Sequence, residues 1–316
     1  MRALDLHDPD AVIAAFRRGT DANRSASCRK GSIDLITAPG RLLATGDLHD
    51  NPLHLARLVK AAGLDGDALP STASSHSVSP SLRPSVPSPS HLVLHEIIHS
   101  DRLFNGMDFS FRALARVAAL KADHPELVHT LLANHELSQV KGAGIIKDGV
   151  RVVQAFDEGL DYAYADRAPE VRAAIGEFIY SMPLALRADC GVSGPGGDIL
   201  CAHSIPGTAL MGRFDASVLS RDLTEADYEP RQGAAHLMVW GRGYDAEQLE
   251  DLVERWGVNL FILGHEKAEN GVQLVPPCAV VLNSDHERGV YLPIDLSHRP
   301  TAEEAVGMVV SLAESV

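Results

Sequence analysis

Basic residues are scarce in this chain: 28 Lys and Arg face 42 Asp and Glu, a formal net charge of -14. Nucleic acids and anionic bilayers are bound through a basic face that releases counterions, so general binding to either is excluded. Cysteine is also sparse. Cys28, Cys190, Cys201 and Cys278 include no C-x-x-C pair, which leaves neither a zinc knuckle nor a redox couple, and they read as reduced, buried bystanders. No stretch approaches the roughly 18 consecutive apolar residues of a membrane span, and Met1 to Asp8 lacks the apolar core and small-residue cleavage site of a secretion signal. A soluble, cytoplasmic protein is the expectation. The glycine-rich run from Gly191 to Gly197 lacks the Lys-Ser/Thr pair of a phosphate-cradling loop and reads as a hairpin turn. No internal repeat is evident.

What is present is an ordinary globular composition, 45% hydrophobic and 22% charged over 316 residues, enough for one large α/β domain. Ser and Pro dominate from Pro70 to Ser90, where large apolar residues nearly vanish; such a segment cannot offset its ordering entropy, and it reads as a disordered insertion within one domain. Around it one theme repeats: a short apolar run, a polar cluster, then a helix-period pattern. Leu42 to Thr45 leads to Asp47, and Asn51 with Pro52 opens a helix that Gly63 closes. Leu92 to Leu94 leads to Glu96 and a helix carrying Phe111, Leu114, Ala115 and Ala118. Val128 to Leu132 leads to Asn134, and Ile199 to Ala202 leads to His203. Asp245 with Gln248 forms a capping box for a helix closed by Gly257, after which Val258 to Leu263 leads to His265. Residues 137–188 read as a mainly helical insertion, and Thr301 with Glu304 begins a terminal helix. Alternating strands and helices predict a mixed sheet covered on both faces, with the polar clusters at strand carboxyl ends, the ligand edge of an open α/β sheet.

Those strand ends carry a consistent chemistry. In Asp47-Leu48-His49 the two-residue spacing puts a carboxylate and an imidazole on one side of an extended chain, as two ligands of one ion would require. Glu96, Asn134 with His135, His203 and His265 stand at the other ends. A carboxylate able to bridge two ions about 3.5 to 4 Å apart, with oxygen and nitrogen ligands on each, is what two-metal phosphoester hydrolysis needs. Asp, Glu, Asn and His without cysteine suit Mn, Fe or Zn.

The ordered set resembles the calcineurin-like metallophosphoesterases, and among them the phosphoprotein (Ser/Thr) phosphatases, over residues 42–283. Their signature of G-D-x-H-G, G-D-x-x-D-R-G, G-N-H-E and two strands ending in His is matched by Gly46-Asp47-Leu48-His49, by Glu96 with Asp101-Arg102, by Asn134-His135-Glu136, and by His203 and His265. Ser181-Met182-Pro183-Leu184-Ala185 and the run from His265 to Gly271 add similar context. The resemblance implies β-sandwich sheets flanked by helices in a single catalytic domain spanning 1–316. It implies two divalent transition-metal ions, with manganese the ion expected to restore activity. Asp47, His49 and Glu96 would hold the first; Glu96, Asn134, His203 and His265 the second. His135 would protonate the leaving oxygen with Asp101 favouring its charged form, and Arg102 and Arg242 would clamp the phosphoryl oxygens.

The departures from the signature are Asp50, Ala133 and Ser204-Ile205-Pro206 at positions where the family has glycine, glutamate in place of the bridging aspartate, and two extra residues before Asp101-Arg102. His99 is open between a place at the site and a polar loop. His54, His124, His129, His236, His286 and His298 read as surface or satisfied histidines, and Trp240 and Trp256 as core. The expected activity is hydrolysis of phosphomonoesters, with phosphoproteins the leading substrate. Dinucleoside polyphosphates or small metabolites are the alternative, and a catalytically dead phosphate-binding scaffold is the reading from another class.

Overall fold

The computed structural model describes residues 4–65, 89–142, 144–147, 149–191 and 197–313. Most of the Ser/Pro-rich segment and most of the 191–197 run lie outside the described residues. The first strands are β1 (Arg29–Lys30), β2 (Ile33–Thr37), β3 (Arg41–Thr45), β4 (His91–Leu94) and β5 (Val128–Thr130). A small hairpin, β6 (Ile146–Lys147) and β7 (Val150–Arg151), precedes β8 (Ala185–Asp189), β9 (Asp198–Ala202), β10 (Val258–Leu263), β11 (Val272–Val275), β12 (Ala279–Leu282), β13 (Val290–Asp295) and β14 (Val310–Ser311). One sheet has the order β1-β2-β8-β9-β10-β12-β11 and the other β14-β13-β3-β4-β5. Both are mixed: β3, β4 and β5 run parallel, as do β9, β10 and β12, while β8, β11 and β13 run antiparallel to a neighbour.

The apolar runs of β3, β4, β9, β10 and β12 are continuous because these strands bury both faces. Leu42, Ala44 and Val93 of one sheet share a core with Leu186, Ile199, Leu260, Ile262 and Val280 of the other, which is the interior of a β-sandwich. Their chain neighbours Leu43, Leu92, Leu94, Leu200, Phe261 and Val281 turn the other way into a second core beneath the helices.

The helices are α1 (Pro9–Ser25), α2 (Pro52–Ala61), α3 (Phe111–Asp123), α4 (Asn134–Lys141), α5 (Val152–Tyr164), α6 (Ala168–Ser181), α7 (Ala234–Val239), α8 (Ala246–Trp256) and α9 (Ala302–Met308). Asn51 caps α2 as its sequence requires, accepting from the amide of His54, and Gly63 follows with φ +73°. The capping box of α9 is complete. That of α8 is only half made: Asp245 accepts from the Gln248 amide, but the Gln248 side chain instead donates to the Pro206 carbonyl and accepts from Thr208. Helix α1, which the strand-and-cluster pattern did not indicate, packs between α3 and α6. Gly19 makes this close approach possible, since a Cβ there would stand 2.8 Å from the Ala118 carbonyl oxygen and 2.9 Å from the Phe178 ring. Elements on both sides of 42–283 join the same sheets, β2 beside β8 and β13 beside β3.

Candidate metal centre

The parallel strands of both sheets end at one edge of the sandwich, and the polar clusters meet there. Asp47 follows β3, Glu96 follows β4, Asn134 and His135 open α4 after β5, His203 follows β9 and His265 follows β10. The two sheets are drawn together at this edge by Gly46, where a Cβ would stand only 1.8 Å from the Leu282 carbonyl oxygen, and by Gly264, where it would stand 2.3 Å from Asp47 Oδ1. Five of the eight described non-glycine residues with positive φ lie here: His49 (+40°), Asp50 (+54°), Glu96 (+48°), His99 (+63°) and His265 (+68°). Each such residue costs about 1 to 3 kcal/mol, and strain of that kind concentrates where side chains must be aimed.

Glu96 is central. Its Oε1 lies 3.1 Å from His49 Nε2 and its Oε2 lies 3.0 Å from His203 Nε2, so its two oxygens face two separate ligand groups. His203 Nε2 is also 2.7 Å from Asn134 Oδ1 and 3.1 Å from His265 Nδ1. A single ring proton cannot serve three acceptors at once, whereas a cation can. The buried Nε2 of His265 has no hydrogen-bond partner. His49, Glu96 and His135 form one group able to hold an ion, and Glu96, His203 and His265 another. Asp47 takes the His265 amide on both carboxylate oxygens at 3.1 Å, and its Oδ1 lies 3.5 Å from His203 Nδ1.

Two further residues support these groups. His95 replaces the glycine of the second motif and bonds the Thr45 carbonyl through Nε2 (2.9 Å), which leaves Nδ1 to accept from His203 Nδ1 at 3.2 Å. That fixes the His203 proton on the far side of the ring and turns Nε2 toward Glu96. Glu136 accepts from the amides of Ile97 and Ile98, holding the turn that aims Glu96; burial, reinforced by the Glu96 charge, pushes its carboxyl up to about 7.

The structure corrects two sequence expectations. Asp101 does not reach His135: it is 65% exposed and pairs with Lys147 at 3.0 Å. His99 meets His135 instead, Nδ1 to Nδ1 at 2.8 Å. Counting the G-D-x-x-D-R-G motif from Glu96 without extra residues places His99 at the second aspartate, a register that the later Asp101-Arg102 pair concealed. Arg102 donates to the Asp50 carbonyl and is not among the residues lining the cleft, whereas Lys147 and Arg242 are. Arg242 Nη2 comes within 3.5 Å of His265 Nδ1. Trp240 is half-buried on the cleft wall, edge-on to His265, and Trp256 is likewise only half-buried. His54 and His129 are buried and satisfied, on the Ser284 carbonyl and on Asp34 respectively. All four cysteines are free and buried.

The cleft above these groups has a volume of about 780 Å³ and is lined by seven carboxylates and four basic side chains. By itself that balance repels anions, so phosphate binding there requires added positive charge. Burial opposes the charging of His49, yet the Glu96 carboxylate overrides it and holds the imidazole up at about 9; His203 is held at about 10 against burial by Glu96 and Asp47. Burial takes His135 down to about 4 and, with the nearby His203 charge, His265 down to about 3. Without a cation His49 and His203 are therefore protonated at pH 7 and must lose those protons to ligate one. Cation uptake at pH 7 should release about two protons, and apparent affinity should rise between pH 6 and pH 8 as protons compete less well. Calorimetric titration in buffers of different ionisation enthalpy measures this; an affinity that does not change with pH would show that these nitrogens are not ligands.

No family model matches the chain, and no curated protein matches it in sequence. Solved structures do. A protein serine/threonine phosphatase from Saccharomyces cerevisiae with similarity to human phosphatase PP5 superposes with a TM-score of 0.64 at 15% identity, over 91% of this chain and 83% of that one. A cold-active protein-tyrosine phosphatase of a psychrophilic Shewanella gives 0.55 at 14%, over 91% and 85%. At these identities the likeness establishes the fold, which is that of the metallophosphoesterases. Among the described residues no helix is long and apolar enough to cross a membrane.

Proposed function

We propose that this chain is a metal-dependent phosphoester hydrolase with a two-cation centre, acting on phosphomonoesters in the manner of a protein phosphatase. The observation that carries the reading is Glu96, whose two oxygens each face a different ligand group about 3 Å away. Asp47, His49 and Glu96 would hold one cation; Glu96, Asn134, His203 and His265 would hold the other. The donor set fits Mn, Fe or Zn, with manganese the ion for reconstitution. When bound, the cations supply Lewis acidity toward the phosphoryl oxygens and a water nucleophile at neutral pH.

The chain's own groups supply the rest. Arg242, with Lys147 in the place that the sequence assigned to Arg102, binds the non-bridging phosphoryl oxygens; Arg242 does so with a planar fork and Lys147 as a point charge. His135 faces the cleft with Nε2 at 3.7 Å from Glu96 Oε1; burial keeps the ring neutral, so Nε2 would take up the proton that the attacking water gives off and pass it to the leaving oxygen.

The two neighbouring folds carry phosphatase names for different phosphoamino acids, so substrate class is tested directly. Manganese-supplemented protein is assayed in parallel on an aryl phosphate, on phosphoserine and phosphotyrosine peptides, and on a diadenosine polyphosphate. Preference for a phosphopeptide supports the proposal, preference for the polyphosphate moves the chain to anhydride hydrolysis, and no turnover on any of them leaves a phosphate-binding scaffold.

A further inference from the structure

Behind His135 runs a line of side chains that is half-exposed at its outer end, Arg172 and Asp157, and ends inward at the buried His99. Arg172 Nε donates to Asp157 Oδ1 at 2.8 Å, and Asp157 Oδ1 accepts from Gln139 Nε2 at 3.2 Å. A carboxylate only accepts, so the Gln139 amide must turn its NH2 toward Asp157 and its carbonyl toward His99. Gln139 Oε1 lies 2.9 Å from His99 Nε2, which is therefore the protonated nitrogen of that ring, and His99 Nδ1 is left as an acceptor. His135 Nδ1 stands 2.8 Å from it, and one of two facing ring nitrogens must carry the hydrogen.

Resting on the enzymatic reading above, we infer that His99, ordered by Gln139 and Asp157, is a positioning residue that keeps a proton on His135 Nδ1 and so presents Nε2 to the leaving oxygen. An imidazole here does by directionality what a carboxylate would do by charge. It remains a hydrogen-bond acceptor whether His135 is neutral or protonated, so the ring does not flip as it gives up and regains the proton on Nε2. His99 is fully buried, its ring edge-on to Phe156 at 5.8 Å between centroids, and its amide donates to Ser110 Oγ at 3.0 Å, so the ring has no room to swing away. Its φ of +63° lies in the left-handed region, which Asn and Asp tolerate better than most residues.

The test uses zinc-loaded protein, two variants and two readouts. His99→Phe keeps the ring's bulk and removes both nitrogens; His99→Asp restores an acceptor in a residue suited to that backbone. With metal content unchanged, His99→Phe should lower kcat on an alkyl phosphate by about 10²-fold, and on a nitrophenyl phosphate by less than tenfold, because only the alkoxide depends on proton transfer to depart. His99→Asp should recover most of the loss. In the wild type, nitrogen NMR shifts of His135 should show Nδ1 protonated and Nε2 bare, and His99→Phe should turn this into a tautomer mixture. Equal losses on the two substrates, or shifts that do not move, would overturn the inference. Wild-type protein that hydrolyses no phosphoester would defeat the enzymatic reading alone, and the shifts would still decide where the proton sits. If His99→Phe does not fold, the wild-type shifts and the activity of His99→Asp decide it.

Discussion

Glu96→Gln should leave a folded protein that binds one cation where the wild type binds two, with turnover reduced by about 10³-fold or more, equivalent to about 4 kcal/mol in the barrier. The reason is charge. One oxygen of Glu96 faces His49 and the other His203, so the carboxylate is an anion shared by both ligand groups. Glutamine preserves the volume and one acceptor, but two cations would then repel across a neutral group. Glu136 still holds the following turn through the Ile97 and Ile98 amides, so the strand end should keep its shape. Elemental analysis, circular dichroism and aryl-phosphate turnover together check the result. Asp101→Asn is the control: its exposed pair with Lys147 is of the kind worth at most about 1 kcal/mol, so turnover should change less than about fivefold. Two ions retained in Glu96→Gln, with near-normal activity, would mean that some other group bridges the centre.

His135→Asn is expected to keep both cations and lose about 10²- to 10⁴-fold in kcat, the ordinary scale of general acid catalysis. His135 is proposed to act on the leaving oxygen and is not in the proposed ligand set, and Asn at the second position of α4 fits the helix. The loss should be largest for alkyl phosphates and smallest for aryl phosphates, whose leaving groups depart without help. Steady-state kinetics on a leaving-group series measures this as a steeper dependence of log kcat on leaving-group pKa in the variant. An unchanged slope would show that His135 holds the substrate or the metals and does not transfer the proton.

Much of the architecture was legible along the chain because it is written in local rules. The strand-then-cluster units from Leu42, Leu92, Val128, Ile199 and Val258 all formed, since runs buried on both faces must be apolar throughout. The Asn51-Pro52 opening and the Gly63 and Gly257 endings are capping chemistry and need no tertiary context. Residue type and strand-end position were likewise enough to single out Asp47, His49, Glu96, Asn134, His135, His203 and His265, which the fold gathers at one edge.

Other features were decided only by the fold, because they depend on what the chain meets across large sequence separations. The Gln248 side chain serves the buried Pro206 carbonyl, 42 residues away, in place of its capping box, since a buried carbonyl left unpaired is costly. The place of helix α1 is fixed by the surfaces of α3 and α6, although its Asp8 cap, its Pro9 opening and its apolar spacing are local. His95 and His99 look like loop histidines until their partners, His203 at a separation of 108 and His135 at 36, are in place. The pair Asp101-Arg102 matched a motif in one dimension, yet in three Asp101 pairs with Lys147 at the cleft and Arg102 donates to the Asp50 carbonyl, while the turn after Glu96 delivers His99 to the His135 ring. The sequence by itself thus determined the elements and the chemistry available at their ends. The tertiary structure alone decided which ring nitrogen faces which, because proton placement is set by distances of about 3 Å between groups that only folding brings together.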